Sequence, residues 1–194
     1  SHCIELENII LEGTEPNYVY ESGILMPKDK KEIIFISDKK LKSTSVFSIP
    51  EGIETFSMGI SLYKNIKQLN IPNSLKTISA DSLPDSIEKV EIGSNNPNLS
   101  VENNIIYSKD YTKLYACFSK DTTIQINEKT QDILDRSYSG ATNLEYITLP
   151  DSVISINSQV FSNNTNLKQL VIGKNVNNIH PVFKHGNYSG IVKI

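Results

Sequence analysis

Four stretches of the chain repeat one arrangement of apolar and polar positions. They are Asn65–Pro72, Ser86–Gly93, Asn143–Pro150 and Asn166–Gly173, each reading apolar-x-x-apolar-x-apolar before a Pro or Gly. The final apolar position steps by 21 residues from Ile71 to Ile92 and by 23 from Leu149 to Ile172. Such alternation predicts short strands with one buried face. Looser copies occur at Leu6-Ile9-Leu11, Phe47-Ile49 and Ile124-Ile126. Val192 and Ile194 lie 22 residues beyond Leu170 and Ile172, where a further copy would stand.

The segment after each stretch repeats as well. Ile49–Phe56 parallels Ile71–Ile78, and Leu149–Ile156 and Ile172–Ile179 obey the same rule. A strand ends, Pro or Gly turns the chain, and two apolar residues three apart return to the core. Phe161 is the next anchor in one unit, with Tyr138, Leu83 and Leu62 as candidates in others. A polar Asn/Ser/Thr stretch then leads into the next strand.

A period of 21 to 23 residues lies in the range of leucine-rich repeats. One such coil cannot bury its apolar side alone, whereas stacked coils join their strands into a parallel sheet over a continuous core. The expected fold is therefore an α/β horseshoe-type solenoid dominated by β-structure. Its concave side carries the parallel sheet, and turns or short 3-10 segments form the other side. A two-sheet sandwich of amphipathic strands accounts less well for near-identical octads at regular spacing.

A longer period contains the shorter one. Glu15–Asp29 matches Asn96–Asp110 at an offset of 81 residues, and both continue into apolar runs at Ile33–Ile36 and Leu114–Phe118. The turns Pro27–Lys30 and Ser108–Tyr111 predict a hairpin inserted into the stack. The whole chain, 1–194, then reads as one solenoid. Two super-repeats of about 81 residues cover 14–94 and 95–174, with a partial repeat at 175–194. Beginning and ending near repeat strands, it reads as a fragment of a longer protein.

Composition adds two surpluses, 27 Ile and 20 Asn among 194 residues. Ile suits buried strands, and Asn suits turns and tolerates left-handed backbone. Nineteen basic against 22 acidic residues give a formal charge of -3, which offers no basic excess for nucleic acid or an anionic membrane. No apolar run approaches the ~20 residues that span a bilayer, and the first residues lack the pattern of a signal peptide.

Candidate chemistry is sparse. Cys3 and Cys117 stand 114 residues apart and read as free, at least partly buried thiols, although a disulfide stays open in an oxidising compartment. His2, His180 and His185 are the only histidines, and Pro181 breaks the helical spacing that a zinc pair would need. Asp81 and Asp85 flank Ser82-Leu83-Pro84 and read as turn and capping residues. No nucleophile elbow or phosphate-binding glycine loop is present, so neither catalysis nor a cofactor is expected.

The octads, the following xx-Val/Ile-xx-Ile segments and the link Phe161–Leu167 resemble the BspA-like, Treponema pallidum-type leucine-rich repeat. The insert at 96–110 is similar to a recurrent segment of that family. In place of the family's Ala-Phe this chain has Val160-Phe161, and where it often has Cys, positions 141 and 164 are Ala and Asn. A cysteine ladder is thus missing. The resemblance implies a right-handed parallel solenoid in a secreted, surface-exposed protein associated with adhesion to host, matrix or other microbial proteins.

Alternate strand residues face away from the core. They are Gln68, Asn70, Lys89, Glu91, Gln125, Tyr146, Thr148, Gln169 and Val171. This amide-rich face of mixed charge is the first candidate for binding a protein or glycan, with Tyr146 as its leading contact. The hairpins, with Tyr20, Tyr107 and Tyr111, are the second. The expected role is non-enzymatic adhesion by a monomer at the cell surface. A structural spacer presenting another domain is the alternative, and a hydrolase would need a convergent site that three scattered His do not suggest.

Overall fold

A computed structural model describes residues 9–12, 17–181 and 191–193. His2, Cys3, Leu6, His185 and Ile194 lie outside the described residues. The fold is a β-dominated solenoid. Strands Val46–Ser48, Gln68–Ile71 and Lys89–Ile92 form one parallel sheet. Thr123–Ile124, Tyr146–Thr148, Gln169–Val171 and Ile191–Lys193 form another. The register sets Leu69 opposite Val90 and Leu170 opposite Val192, as the apolar repeat requires.

The returning half of each coil pairs too. Thr55–Phe56 lies beside Thr77–Ile78, and Asp132–Ile133, Ser155–Ile156 and Asn178–Ile179 run in parallel. The side expected to hold only turns and short 3-10 segments thus carries its own rows of two-residue strands, besides a 3-10 turn at Ala80–Ser82. The reason for Pro or Gly at each strand end is visible. Ile53, Val153 and Val176 donate to the carbonyls of Pro50, Pro150 and Gly173, closing the same tight turn. A Cβ on Gly173 would stand 2.7 Å from the carbonyl oxygen of Pro150, so the preceding coil leaves room there only for glycine.

The Asn surplus has a different cause from the one expected. Left-handed backbone occurs at Asn103 and Asn104, but the other non-glycine positions with positive φ are Ser22, Lys30, Tyr111, Arg136 and Gln159. Most structured Asn side chains instead tie one coil to the next. Asn96 donates to the carbonyls of Pro72 and Leu75, Asn143 to Lys120, Asn166 to Thr142 and Asn175 to Asp151. Carbonyls outside regular strands lack a ladder partner, and a short amide supplies a donor without a long side chain to order.

Each inserted hairpin is the first part of a three-stranded antiparallel meander. Tyr18–Glu21, Ile24–Pro27 and Phe35–Ile36 form one; Leu99–Glu102, Ile105–Ser108 and Lys113–Cys117 form the other. Their first turns have positive φ at both central residues, Ser22-Gly23 and Asn103-Asn104, the backbone of a two-residue hairpin turn. Lys30 and Tyr111, 81 residues apart, share positive φ in the second turn.

The second meander divides the interior, so the core is not continuous. Leu99, Ile106, Ala116 and Phe118 pack with the coils before it, while Ile105, Tyr107, Leu114 and Cys117 pack with those after it. Its middle strand is buried on both faces, which explains the apolar run Ile105-Ile106-Tyr107. Tyr107 is 1% exposed and belongs to this core, so it is not a surface residue as the hairpin hypothesis required. Tyr111 leans on it, with ring centroids 5.4 Å apart. Among the expected anchors, Phe161, Tyr138 and Leu83 are buried, whereas Leu62 is 74% exposed and Ile60 takes its place.

Candidate binding surface

Strand alternation sends every predicted face residue outward, but the meander puts them in two groups. Gln68, Asn70, Lys89 and Glu91 lie on the first sheet, where the register sets Gln68 beside Lys89 and Asn70 beside Glu91. Gln125, Tyr146, Thr148, Gln169 and Val171 belong to the second stack, with Tyr146 beside Gln169 and Thr148 beside Val171. The nine thus stand on two separate sheets, with Gln125 one residue past its strand.

The two groups differ chemically. On the first sheet the polar atoms satisfy one another. Asn70 donates to Ser48 Oγ at 2.9 Å, and Gln68 donates to Asn70 Oδ1 at 2.8 Å and to Glu91 Oε2 at 3.1 Å. Lys89 pairs with Glu91 at 2.5 Å. Ser48 is a member that the sequence did not single out. A ligand would have to compete with this network for its hydrogen bonds.

The second face is organised around Tyr146, which is 42% exposed. Lys168 Nζ lies 5.7 Å from the centre of its ring and 2.7 Å from Glu145 Oε2. The Glu145 hydrogen bond holds the Lys168 ammonium pKa above its ordinary value. Cation, ring and carboxylate thus stand together on an open surface, flanked by Thr148 and Gln169. Tyrosine contributes large, rigid, amphipathic contact area at low entropic cost, which is why it recurs in interfaces.

Next to this face lies a cleft of about 650 Å³, between the second meander and the first strand of the second sheet. Glu102, Asn103, Ile105 and Tyr107 form one side, and Thr123–Lys129 the other. A smaller cleft of about 310 Å³ shares Asn103, Ile105 and Thr123–Gln125 with it. Sequence reasoning missed the cleft. Its only signal was the Asn103-Asn104 pair, which marks the hairpin turn that forms the wall.

The remaining candidates scatter. Cys117 is free and fully buried, and burial pushes its thiol pKa up to about 12. His180 is exposed. Asp81 accepts a hydrogen bond from Ser79, and Asp85 accepts one from Lys64, each within turn structure. Among the described residues no three His, Cys, Asp or Glu side chains gather as a metal site, and no helix is long and apolar enough to cross a membrane.

The repeating coil, its amide ties and its inserted meander have a counterpart among known families. The BspA type leucine rich repeat region matches residues 98–187, in six copies. Residues 98–187 are thus similar to the repeats of that family. The matched residues take in the second meander and the second sheet's strands from Thr123–Ile124 to Gln169–Val171, and the coils of 46–93 have the same β-dominated solenoid fold. Among solved structures, a leucine-rich repeat protein from Eubacterium ventriosum is 27% identical with a TM-score of 0.60, over 69% of this chain and 37% of that one. A leucine rich cell surface protein from Faecalibacterium prausnitzii is 22% identical with a TM-score of 0.45, over 88% of this chain and 40% of that one. The chain therefore spans well under half the length of either. No curated protein matches the sequence.

Proposed function

We propose that this is a non-enzymatic, extracellular adhesion module, a monomer that binds a host, matrix or other surface protein through the outward face of its second stack. The observation that carries this reading is the exposed Tyr146 ring with Lys168 5.7 Å from its centre and Glu145 bound to the same ammonium. Resemblance to BspA-like proteins supports the extracellular setting. Within the proposal the chain is one solenoid of two super-repeats, 14–94 and 95–174, followed by a partial repeat.

The test is surface plasmon resonance against a panel of immobilised extracellular-matrix proteins, with Tyr146→Ala and Lys168→Ala beside the parent chain. Binding to at least one matrix protein that falls about tenfold or more in Tyr146→Ala supports the reading. Binding that is indifferent to both variants, or no binding across the panel, overturns it. The self-satisfied first face favours a spacer role for the first stack, and Gln68→Ala is expected to leave binding unchanged.

A further inference from the structure

Parallel sheets leave unpaired main-chain groups at their edges, and such edges recruit other strands unless something closes them. Among the described residues, the two larger parallel sheets present three such edges at the ends nearest the meanders, and on two of them a side chain occupies outward main-chain groups. At the first, Thr44 Oγ1 accepts from Val46 N–H at 3.2 Å and donates to Val46 carbonyl at 2.5 Å. At Lys89–Ile92, the Asn104 side chain accepts from Val90 N–H at 2.9 Å and donates to Glu88 carbonyl at 3.0 Å. In each case a short polar side chain imitates the missing neighbour strand.

The third edge is Thr123–Ile124, followed by Gln125 and Ile126, and among the described residues it has no such closure. Thr122 carbonyl accepts from Tyr146 N–H, and Ile124 sits opposite Ile147, so the pairing groups of alternate residues face the next coil. Those of Thr123 consequently point the other way, and Gln125, one residue beyond the strand, lines the cleft beside them. Among the described residues no group pairs with them. Asp121, two residues before Thr123 as Thr44 is before Val46, is engaged by Ser119 at 2.7 Å instead. The open edge borders the 650 Å³ cleft, a size typical of ligand clefts.

We propose that an extended, cation-bearing segment of a partner protein docks in this cleft and adds a strand to the Thr123–Ile126 edge. The main-chain groups of Thr123, with those of Gln125 just beyond the strand, match another extended main chain. Carboxylates Glu102, Glu128 and Asp121 outnumber Lys129 along the two clefts, which favours Lys or Arg on the incoming segment. A second copy of this chain would bring the same edge behind the same meander wall, so a lone segment is the better-shaped occupant. The edge uses main-chain groups, whereas the proposed adhesive face uses the Tyr146 side chain, so either can fail without the other.

The probe is the synthetic peptide acetyl-Lys-Thr-Val-Thr-Val-Lys-Thr-amide, titrated to about 1 mM into the isotope-labelled chain and followed by NMR. Expected are shifts and slowed hydrogen exchange at the Thr123 and Gln125 amides. The same peptide N-methylated at its central Val, Thr and Val residues is expected to bind at least about tenfold more weakly. Gln125→Pro removes the N–H that faces the cleft without touching a pair within the chain, and is expected to abolish binding. Gln125→Ala keeps the N–H and is expected to retain it, which separates edge pairing from side-chain contact. Absence of shifts at 123–126, equal binding of the N-methylated peptide, or unchanged binding by a folded Gln125→Pro overturns the proposal. A concentration-dependent dimer that Gln125→Pro dissolves would also overturn it, by making a second copy the occupant.

Discussion

The side-chain amide of Asn164 donates to the main-chain carbonyl of Ala141, its counterpart one coil earlier, at 2.7 Å. The same nitrogen reaches the carbonyl of Tyr138 at 3.1 Å, and both residues of the pair are fully buried. Here, where related repeats often carry a cysteine, the amide fastens two coils by their backbones. Asn164→Ala removes two buried hydrogen bonds, while the Tyr138 and Ala141 carbonyls keep their main-chain donors Ala141 and Leu144, and is expected to destabilise the chain by about 1–3 kcal/mol in urea unfolding. A loss under about 0.5 kcal/mol would show that the tie is incidental.

Lys120 makes a comparable tie across the partition. Its ammonium donates to Asp85 carbonyl in the first stack at 2.9 Å and to Gly140 carbonyl in the second at 2.8 Å. Partial burial lowers its pKa despite nearby Asp85 and Glu88. Lys120→Met keeps the stem and removes both donors, so a loss of about 1–3 kcal/mol is expected, with faster hydrogen exchange around both carbonyls. Faster exchange on one side alone would contradict a bridge.

Cys117 is expected to resist thiol reagents in the folded protein, because burial both blocks access and raises its pKa to about 12. In a Cys3→Ser background, labelling by a maleimide should track global unfolding in urea. The linkage has a definite sign. A thiol raised in the folded state gives stability that is complete below its ordinary value of 9.0 and disappears as pH rises through about 12. Rapid labelling under native conditions would contradict the burial.

Asp110 titrates in the opposite direction. Hydrogen bonds from Ser108 and Thr112 hold its pKa at about 2. Its contribution is present above the ordinary carboxylate value of 3.8 and is lost as pH falls through about 2. Asp110→Asn should therefore lower Tm at neutral pH and approach the parent chain at the acid end. A Tm difference that stays constant with pH would contradict this linkage.

Particular residues show how far the sequence reached. Leu69, Val90, Ile147 and Leu170 were readable as buried strand positions, although in two cores rather than one, because a period-two pattern repeated every coil has few other solutions. The turns at Pro27–Lys30 and Ser108–Tyr111 were readable from their residues. Tyr107 was misread because tyrosine is common at surfaces, although Ile105-Ile106-Tyr107 is an unbroken apolar run of the kind that two-sided burial produces. Asn was misread because one residue type serves both turns and inter-coil ties. The division of the face into two groups, and the open edge at Thr123–Ile126, depend on which side chains reach a neighbouring main chain. Spacing carries little information about that.

Ile105 and Ile106 are consecutive residues that serve different cores. A one-residue slip of their strand would exchange the two sets of side chains, spoiling both halves at once. Alignment of this meander is thus checked from two sides, where an ordinary half-buried strand is checked from one. The wall between the stacks acts as a lock on chain register, and an error in either half is felt by the other.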